Sequence, residues 1–305
     1  MFRPGLIHIR TIEILIYVMP ITRIMGYIES VFELSEEFMK EPRQVSIDTK
    51  SLNALAKRMK DEGKSEFPSQ ASSPLYTPKL ELLASSINYC YWYGRAGLYP
   101  ASGGSFTMYN IVDDNIDKKR EGVQLGEIED IALELTEKRF PLLEQRIRHL
   151  YETLEFPVES LVGKVSHGYS AEECLTDICE TMPGFASDLF LKRAILYIIQ
   201  LNRALGWFEE DMDKIFIPSD YQVPRVLRGF NVIKYGPRLT KDVDKGGVLI
   251  PEGSQAECEI RAATILACKA LSDSTGWNAS EIDCWLWMRR KEAPGNHHLT
   301  VTTAY

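Results

Sequence analysis

Two acids in this sequence are best placed for chemistry, each near the start of an expected helix. In the stretch SDYQVPRVLRGF, Asp220 stands just ahead of Pro224. Proline suits the first helical turn, where its missing N–H costs nothing, and Val226, Leu227 and Phe230 supply an apolar face. An Asp so placed caps a helix or makes an Asx-turn. The same geometry serves catalysis, because nearby N–H donors and the positive end of the helix favour an ionised carboxylate. A carboxylate held that way stabilises a cation that develops in a transition state. Asp283, in NASEIDCWLW, follows Ser280 by three residues, so the pair reads as a capping box. Trp285 and Trp287 stand close by, and an acid walled by aromatic rings can donate a proton. Two carboxylates in unlike surroundings are what cleavage of a glycosidic bond uses.

Other candidates are cations and aromatics. Lys192 and Arg193 interrupt an otherwise apolar run, DLFLKRAILYIIQLNRALG. Asp188 precedes Lys192 by four residues, which on one helix makes a favourable acid-first pair. The alternative is that these cations bind an anion such as a phosphate. The run NYCYWYG offers Asn88 as an amide donor and acceptor, with Trp92 among rings that either form core or stack on a flat heterocycle. The pair His297–His298 reads as a polar turn before a last strand, with a ligand contact as the alternative. No HExxH, GxSxG, GxGxxG or GxxxxGK[ST] motif occurs.

The elements that must hold these residues are helices. Apolar residues recur at helical spacing over SVFELSEEFMKEP, over IDTKSLNALAKRMKDEG between an Asp48 cap and Gly63, and in two helices from Gly126 to about Thr153. SAEECLTDICETM opens on a Ser170/Glu173 box, SQAECEIRAATILACKALSD on a Ser254/Glu257 box, and NASEIDCWLWMRRKE closes the series. RLTKDVDKGGVLIPEGS reads as a helix and loop, GLYPASGGSF as a loop, and LELLASSINYCYWYG as a strand or a buried helix end. Alternation of apolar strands with helices is missing, so the chain reads as mostly α, a single helical domain with few short strands. Residues 1–27 form an N-terminal extension or arm, and 28–305 the domain. The apolar run Ile12–Ile21 is too short to span a membrane.

The bulk numbers narrow the partners. The chain has 305 residues with a formal net charge of −8, which argues against a grip on duplex DNA or long RNA. A small anionic ligand needs only two or three local cations. Six cysteines without a CxxC pair, mostly within apolar runs, read as buried thiols of a reducing cytoplasm rather than a disulfide framework or zinc site.

Taken in order, INYCYW, MPGFASDLFLKRA, SDYQVPRVL, GSQAECEIRAAT, IDCWLW and the closing HH tail resemble the queuosine salvage protein family, the queuosine 5′-phosphate N-glycohydrolases. The resemblance runs from about Val31 to Tyr305. It implies a helical fold related to helix-hairpin-helix DNA glycosylases, release of the 7-deazaguanine base queuine from queuosine 5′-monophosphate for reuse in tRNA modification, and no metal or organic cofactor. By the family's blocks, Asp220 and Asp283 are its active-site acids and Lys192 faces the nucleotide. Asp188, Asn88, Trp92, Tyr221 and Trp287 are the further substrate contacts expected, and Arg193 is a second candidate for the phosphate. The expected partner is a small nucleotide, bound by a monomer. This chain departs from the family pattern at Pro218, where an aromatic is usual, at Gln222, where Arg is common, and at Met288, where a second acid often stands. Two rival readings are a DNA base-excision glycosylase of the helix-hairpin-helix type and a non-catalytic helical binding module, in which both acids are merely local caps.

Overall fold

The computed structural model describes residues 26–67, 73–92 and 104–305. Along the chain the elements are α1 (Tyr27–Lys40), β1 (Val45–Ile47), α2 (Thr49–Glu62), α3 (Thr77–Ser86), α4 (Gly104–Asn115), α5 (Leu125–Glu137), α6 (Leu143–Glu152), α7 (Leu161–Ser166), α8 (Ala171–Thr181), α9 (Pro183–Ala186), α10 (Lys192–Leu205), α11 (Gln222–Gly229), β2 (Ile233–Tyr235), α12 (Pro237–Lys245), α13 (Gln255–Thr275) and α14 (Ala279–Met288). The chain is mostly helical, as its periodicity predicts. The expected N-terminal arm falls outside the described residues except at its end, where Tyr27 already belongs to α1.

The contacts gather into two compact units. The first takes residues 26–67 and 213–300. Its centre is α13, whose buried residues occupy every face from Ala256 to Leu271; α1, α2, α14 and β1 pack around it. A helix buried on all sides needs apolar or paired side chains throughout. Glu259 meets that need by taking the backbone N–H groups of Arg43, Gln44 and Val45, at 2.9, 2.8 and 3.1 Å. It thereby anchors β1, which pairs antiparallel with β2 in the register Val45↔Tyr235 and Ile47↔Ile233.

The second unit takes residues 73–92, 104–212 and 301–305. Here α3 is buried along its whole length and packs against α10. Leu80, Leu83, Ile87, Met108, Ile111, Ile128 and Ile131 share one core. Two ions inside it are paired: Lys79 Nζ lies 2.7 Å from Glu127, with side chains 0% and 7% exposed.

Local chemistry sets most element ends as expected. Asp48 accepts the N–H of Ser51, Gly63 closes α2 at φ 80°, and Ser170 and Glu173 form their reciprocal box. Several expectations are corrected. The Ser254 hydroxyl takes the N–H of Glu257, but Glu257 Oε2 reaches back to Gly253 rather than Ser254. Helix α14 is capped by Asn278 and Glu281, not by Ser280 and Asp283. Asp188 and Lys192 do not share a helix, because Leu191 turns left-handed (φ 49°) and α10 starts at Lys192. The loop expected over GLYPASGGSF lies outside the described residues through Gly103, and from Gly104 onward it is helix α4. From Ile87 to Trp92 the run is neither strand nor helix, and the rest of it lies outside the described residues. Cys90 is left-handed at φ 48°, and its N–H donates to the Tyr305 carbonyl at 2.8 Å. The tail is no strand either; among the described residues it makes one isolated bridge, Leu299 to Leu249. His298 is buried rather than on a polar turn.

Candidate active site

In the first unit, Asp220 does what its position ahead of Pro224 predicts. Its Oδ1 accepts the N–H groups of Gln222 and Val223 at 2.6 and 3.0 Å. These are two of the donors that a helix start leaves unbonded, so the carboxylate caps α11 while remaining half-exposed. The residue before it is fixed as well. Arg261 of α13 donates from Nε to the Ser219 carbonyl at 3.0 Å, and the Ser219 hydroxyl donates to the Arg261 carbonyl at 3.2 Å. Next along, the Tyr221 ring lies 4.7 Å from the His297 ring, tilted by 39°.

Asp283 sits on α14, which packs against α11 and α13. With the Asn278/Glu281 box closing that helix, Asp283 falls in its second turn, 7% exposed. The thiol of Cys268 on α13 is held well above its ordinary range by burial, and the Asp283 carboxylate adds to that shift. The two tryptophans expected to wall Asp283 differ. Trp285 is fully buried, whereas Trp287 is half-exposed, packed on Phe67 at 5.2 Å with the Arg290 guanidinium 3.5 Å over its ring. Arg225, on α11, donates to the carbonyls of Arg290 and Ala293 at 2.8 and 2.9 Å and so ties α11 to the chain after α14.

In the second unit, Lys192 opens α10. Its Nζ donates to the Asn88 carbonyl and to Asn88 Oδ1, at 2.8 and 2.9 Å. Asp188 takes the N–H of Lys192 at 2.8 Å and that of Phe190 at 3.0 Å, so it caps the helix that presents the lysine. Arg193, the other expected phosphate ligand, is 1% exposed; its Nη groups donate to the carbonyls of Ser86 and Gly184. That engagement argues against Arg193 as an anion ligand. Arg146 donates to the carbonyls of Ile87 and Tyr89 and lies over the rings of Tyr89 and Tyr91. The carbonyls of Ser86, Ile87, Asn88 and Tyr89 are thus each held by a buried cation. This grip fixes Asn88 and the start of the segment bearing Trp92, which is half-exposed. His149 stands in the same cluster, hydrogen-bonded to the Tyr89 hydroxyl at 3.2 Å. Burial and the flanking Arg193, Arg148 and Arg146 push it down to about 3, so its ring is neutral.

The structure therefore places Asp220, Tyr221, Asp283 and Trp287 in the first unit and Asn88, Trp92, Asp188 and Lys192 in the second. Sequence reasoning passed over Arg261 and Arg146, and placed His298 on a polar turn. The usable signal for Arg261 was a cation inside the apolar run EIRAATILA. The doubled histidine did not reveal that His298 is buried; that burial, with His297 and Arg261 nearby, pushes it down to about 3. Among the described residues, no group of three His, Cys, Asp or Glu side chains is arranged to hold a metal ion. No described helix is long and apolar enough to cross a membrane.

A family model described as queuosine salvage protein matches residues 109–305. The chain belongs to the queuosine salvage protein family. Relatives named queuosine 5′-phosphate N-glycosylase/hydrolase align with it. The one from Sphaerobacter thermophilus is 28% identical over 261 residues, 73% of this chain and 80% of that protein. The one from Dictyostelium discoideum is 36% identical over 129 residues, 38% of this chain and 40% of its own length. The mouse protein is 29% identical over 169 residues, 50% of this chain and 49% of its own. Within the queuosine salvage match lie Asp188, Lys192, Asp220, Tyr221, Asp283 and Trp287; Asn88 and Trp92 precede it.

Proposed function

We propose that the chain hydrolyses the N-glycosidic bond of queuosine 5′-monophosphate and releases queuine, the 7-deazaguanine base, for tRNA-modification salvage. The observation that carries this reading is the pair of acids in unlike settings on packed helices. Asp220 is half-exposed and fixed by two backbone N–H groups, while Asp283 is buried and outside the cap of its helix. That arrangement also counts against a binding module in which both acids merely cap.

Breaking a ribosyl C–N bond builds positive charge on the sugar, and a carboxylate near it stabilises the oxocarbenium-like transition state. A 7-deazapurine lacks the ring nitrogen at position 7 that ordinary purines protonate, so help to the leaving group comes through other edges of the base. We assign Asp220 to the base and leaving group, and Asp283 to the ribose cation or the attacking water. The C–N electron pair leaves with the base, which gains a proton, and water supplies the hydroxyl at C1′. No other reactant is required. Lys192 is assigned to the 5′-phosphate, with Asp188 setting its helix; Asn88, Trp92, Tyr221 and Trp287 are assigned to the base and ribose. Residues 28–305 are taken as the catalytic domain, with a fold related to helix-hairpin-helix glycosylases, acting as a cytoplasmic monomer.

The test is incubation with queuosine 5′-monophosphate and detection of free queuine by mass spectrometry. Release of the base is expected. If the nucleotide stays intact while damaged bases are excised from DNA, the glycosylase alternative takes its place.

A further inference from the structure

Arg261 is 2% exposed on α13, the central helix of its unit. A guanidinium taken out of water is costly unless its donors are met. Two of the contacts that meet it lead somewhere specific. Glu257, one turn earlier, lies 3.7 Å from its Nη1. Its Nε donates to the carbonyl of Ser219, the residue next to Asp220, at 3.0 Å. Ser219 is itself fully buried and returns a hydrogen bond from Oγ to the Arg261 carbonyl at 3.2 Å. The chain before Asp220 is thus fastened to α13 in both directions, and the carboxylate fastens itself to the chain after it through Gln222 and Val223.

From this geometry we infer that Arg261 is a positioning residue for the hydrolysis, acting through Ser219 to hold the Asp220 carboxylate at its working place. The inference rests on the hydrolase reading above. Glu257 aims the guanidinium, and the planar fork lets one side chain serve both the acid and the carbonyl. A lysine at this position keeps the charge but has no second nitrogen in a fixed direction. Misplacing a reacting group by about 1 Å costs a rate factor on the order of 100, so the effect belongs on kcat rather than on substrate affinity.

The test compares base release from queuosine 5′-monophosphate by the wild type, Arg261→Gln, Arg261→Lys, Asp220→Asn and the double variant Asp220→Asn/Arg261→Gln. Arg238→Gln serves as a control, since its side chain is 91% exposed. Arg261→Gln is expected to lower kcat by about 100-fold with little change in KM, and Arg261→Lys to recover part of the loss. In the Asp220→Asn background the second substitution should cost nothing further, because Arg261 acts only through that acid. An equal loss in both backgrounds, a change confined to KM, or full activity of Arg261→Gln would each overturn the assignment. If Arg261→Gln gives no cooperative melt, Arg261→Lys alone decides, by the same split between kcat and KM. If the wild type releases no base, the hydrolase reading falls and this inference with it. If the wild type is active and the Arg261 variants match it, only this inference falls.

Discussion

Asn278 and Glu281 cap each other across the first turn of α14: the Asn278 side chain takes the N–H of Glu281, and the Glu281 carboxylate takes the N–H of Asn278. The helix start is complete without Asp283, two residues further on and 7% exposed. A buried acid that lies outside the cap of its helix is not explained by capping, and two carboxylates in unlike settings suit glycosidic cleavage. Asp283→Asn and Asp220→Asn are therefore each expected to lower the rate of base release by orders of magnitude. Asp220→Asn keeps an acceptor for the two N–H groups, so its stability loss should stay under about 1 kcal/mol. Full activity in either variant, measured at saturating nucleotide, would remove that acid from the mechanism.

Lys192 tests the phosphate assignment. Lys192→Met should raise KM for the 5′-nucleotide by about tenfold or more, the loss of one charge-assisted contact, and shift KM for the nucleoside far less. Equal effects on both substrates would show that the lysine serves only to hold Asn88, to which it donates twice.

Glu81 makes stability depend on pH. Burial on α3 pushes this acid up to about 7 from an ordinary value of 4.5, against the downward pull of the Tyr109 hydroxyl, which donates to it at 2.6 Å, and of Arg203 and Gln200. Between those two values the folded protein keeps a proton that the unfolded chain has released. Stability therefore falls as pH rises through that window and is level above it. Glu81→Gln keeps the acceptor for Tyr109 and removes the titration. At pH 8 the variant is expected to be more stable than the wild type by up to about 3 kcal/mol, with the gain gone at pH 4. A gain that is the same at both pH values in denaturant titrations would contradict the assignment.

Gly229, the last residue of α11, has no room for a side chain. A Cβ there would meet Ala293 Cβ at 2.6 Å and its Cα at 2.9 Å. Gly229→Ala is expected to cost about 1–3 kcal/mol, and Ala293→Gly on top of it should recover part of the loss. A thermal midpoint unmoved by Gly229→Ala would show that the approach is looser than described.

Much of this was legible in the sequence because it is local. Asp48, Ser170 with Glu173, and Asp220 each meet partners within three residues, and such bonds follow from residue type and spacing. The misplaced box on α14 shows the limit of that reasoning. Ser280/Asp283 and Asn278/Glu281 both offer a capping residue with an acid three places on, and only packing chose between registers two residues apart. The left-handed Leu191 was hidden too, since nothing in DLFLKRA marks a break in its apolar pattern. Least visible were the partners of Arg193 and Arg146, whose acceptors, the Ser86 and Ile87 carbonyls, lie 107 and 59 residues away in sequence. A lone Arg in an apolar run signals a long-range obligation without naming the creditor.

The carbonyls of Ser86 to Tyr89 are held by guanidinium and ammonium groups, not by carboxylate pairs. This sets how the fold answers to ionic strength. Mobile ions weaken attractions between exposed charges over a Debye length of about 10 Å at 0.1 M salt, and act far less on contacts from which water is excluded. Arg146 and Arg193 are at most 1% exposed, so their hold on the Asn88 segment should persist in concentrated salt that dissolves the surface pairs, such as Lys269 with Asp273. The part of the protein assigned to the phosphate thus keeps its shape under conditions that would screen the phosphate itself.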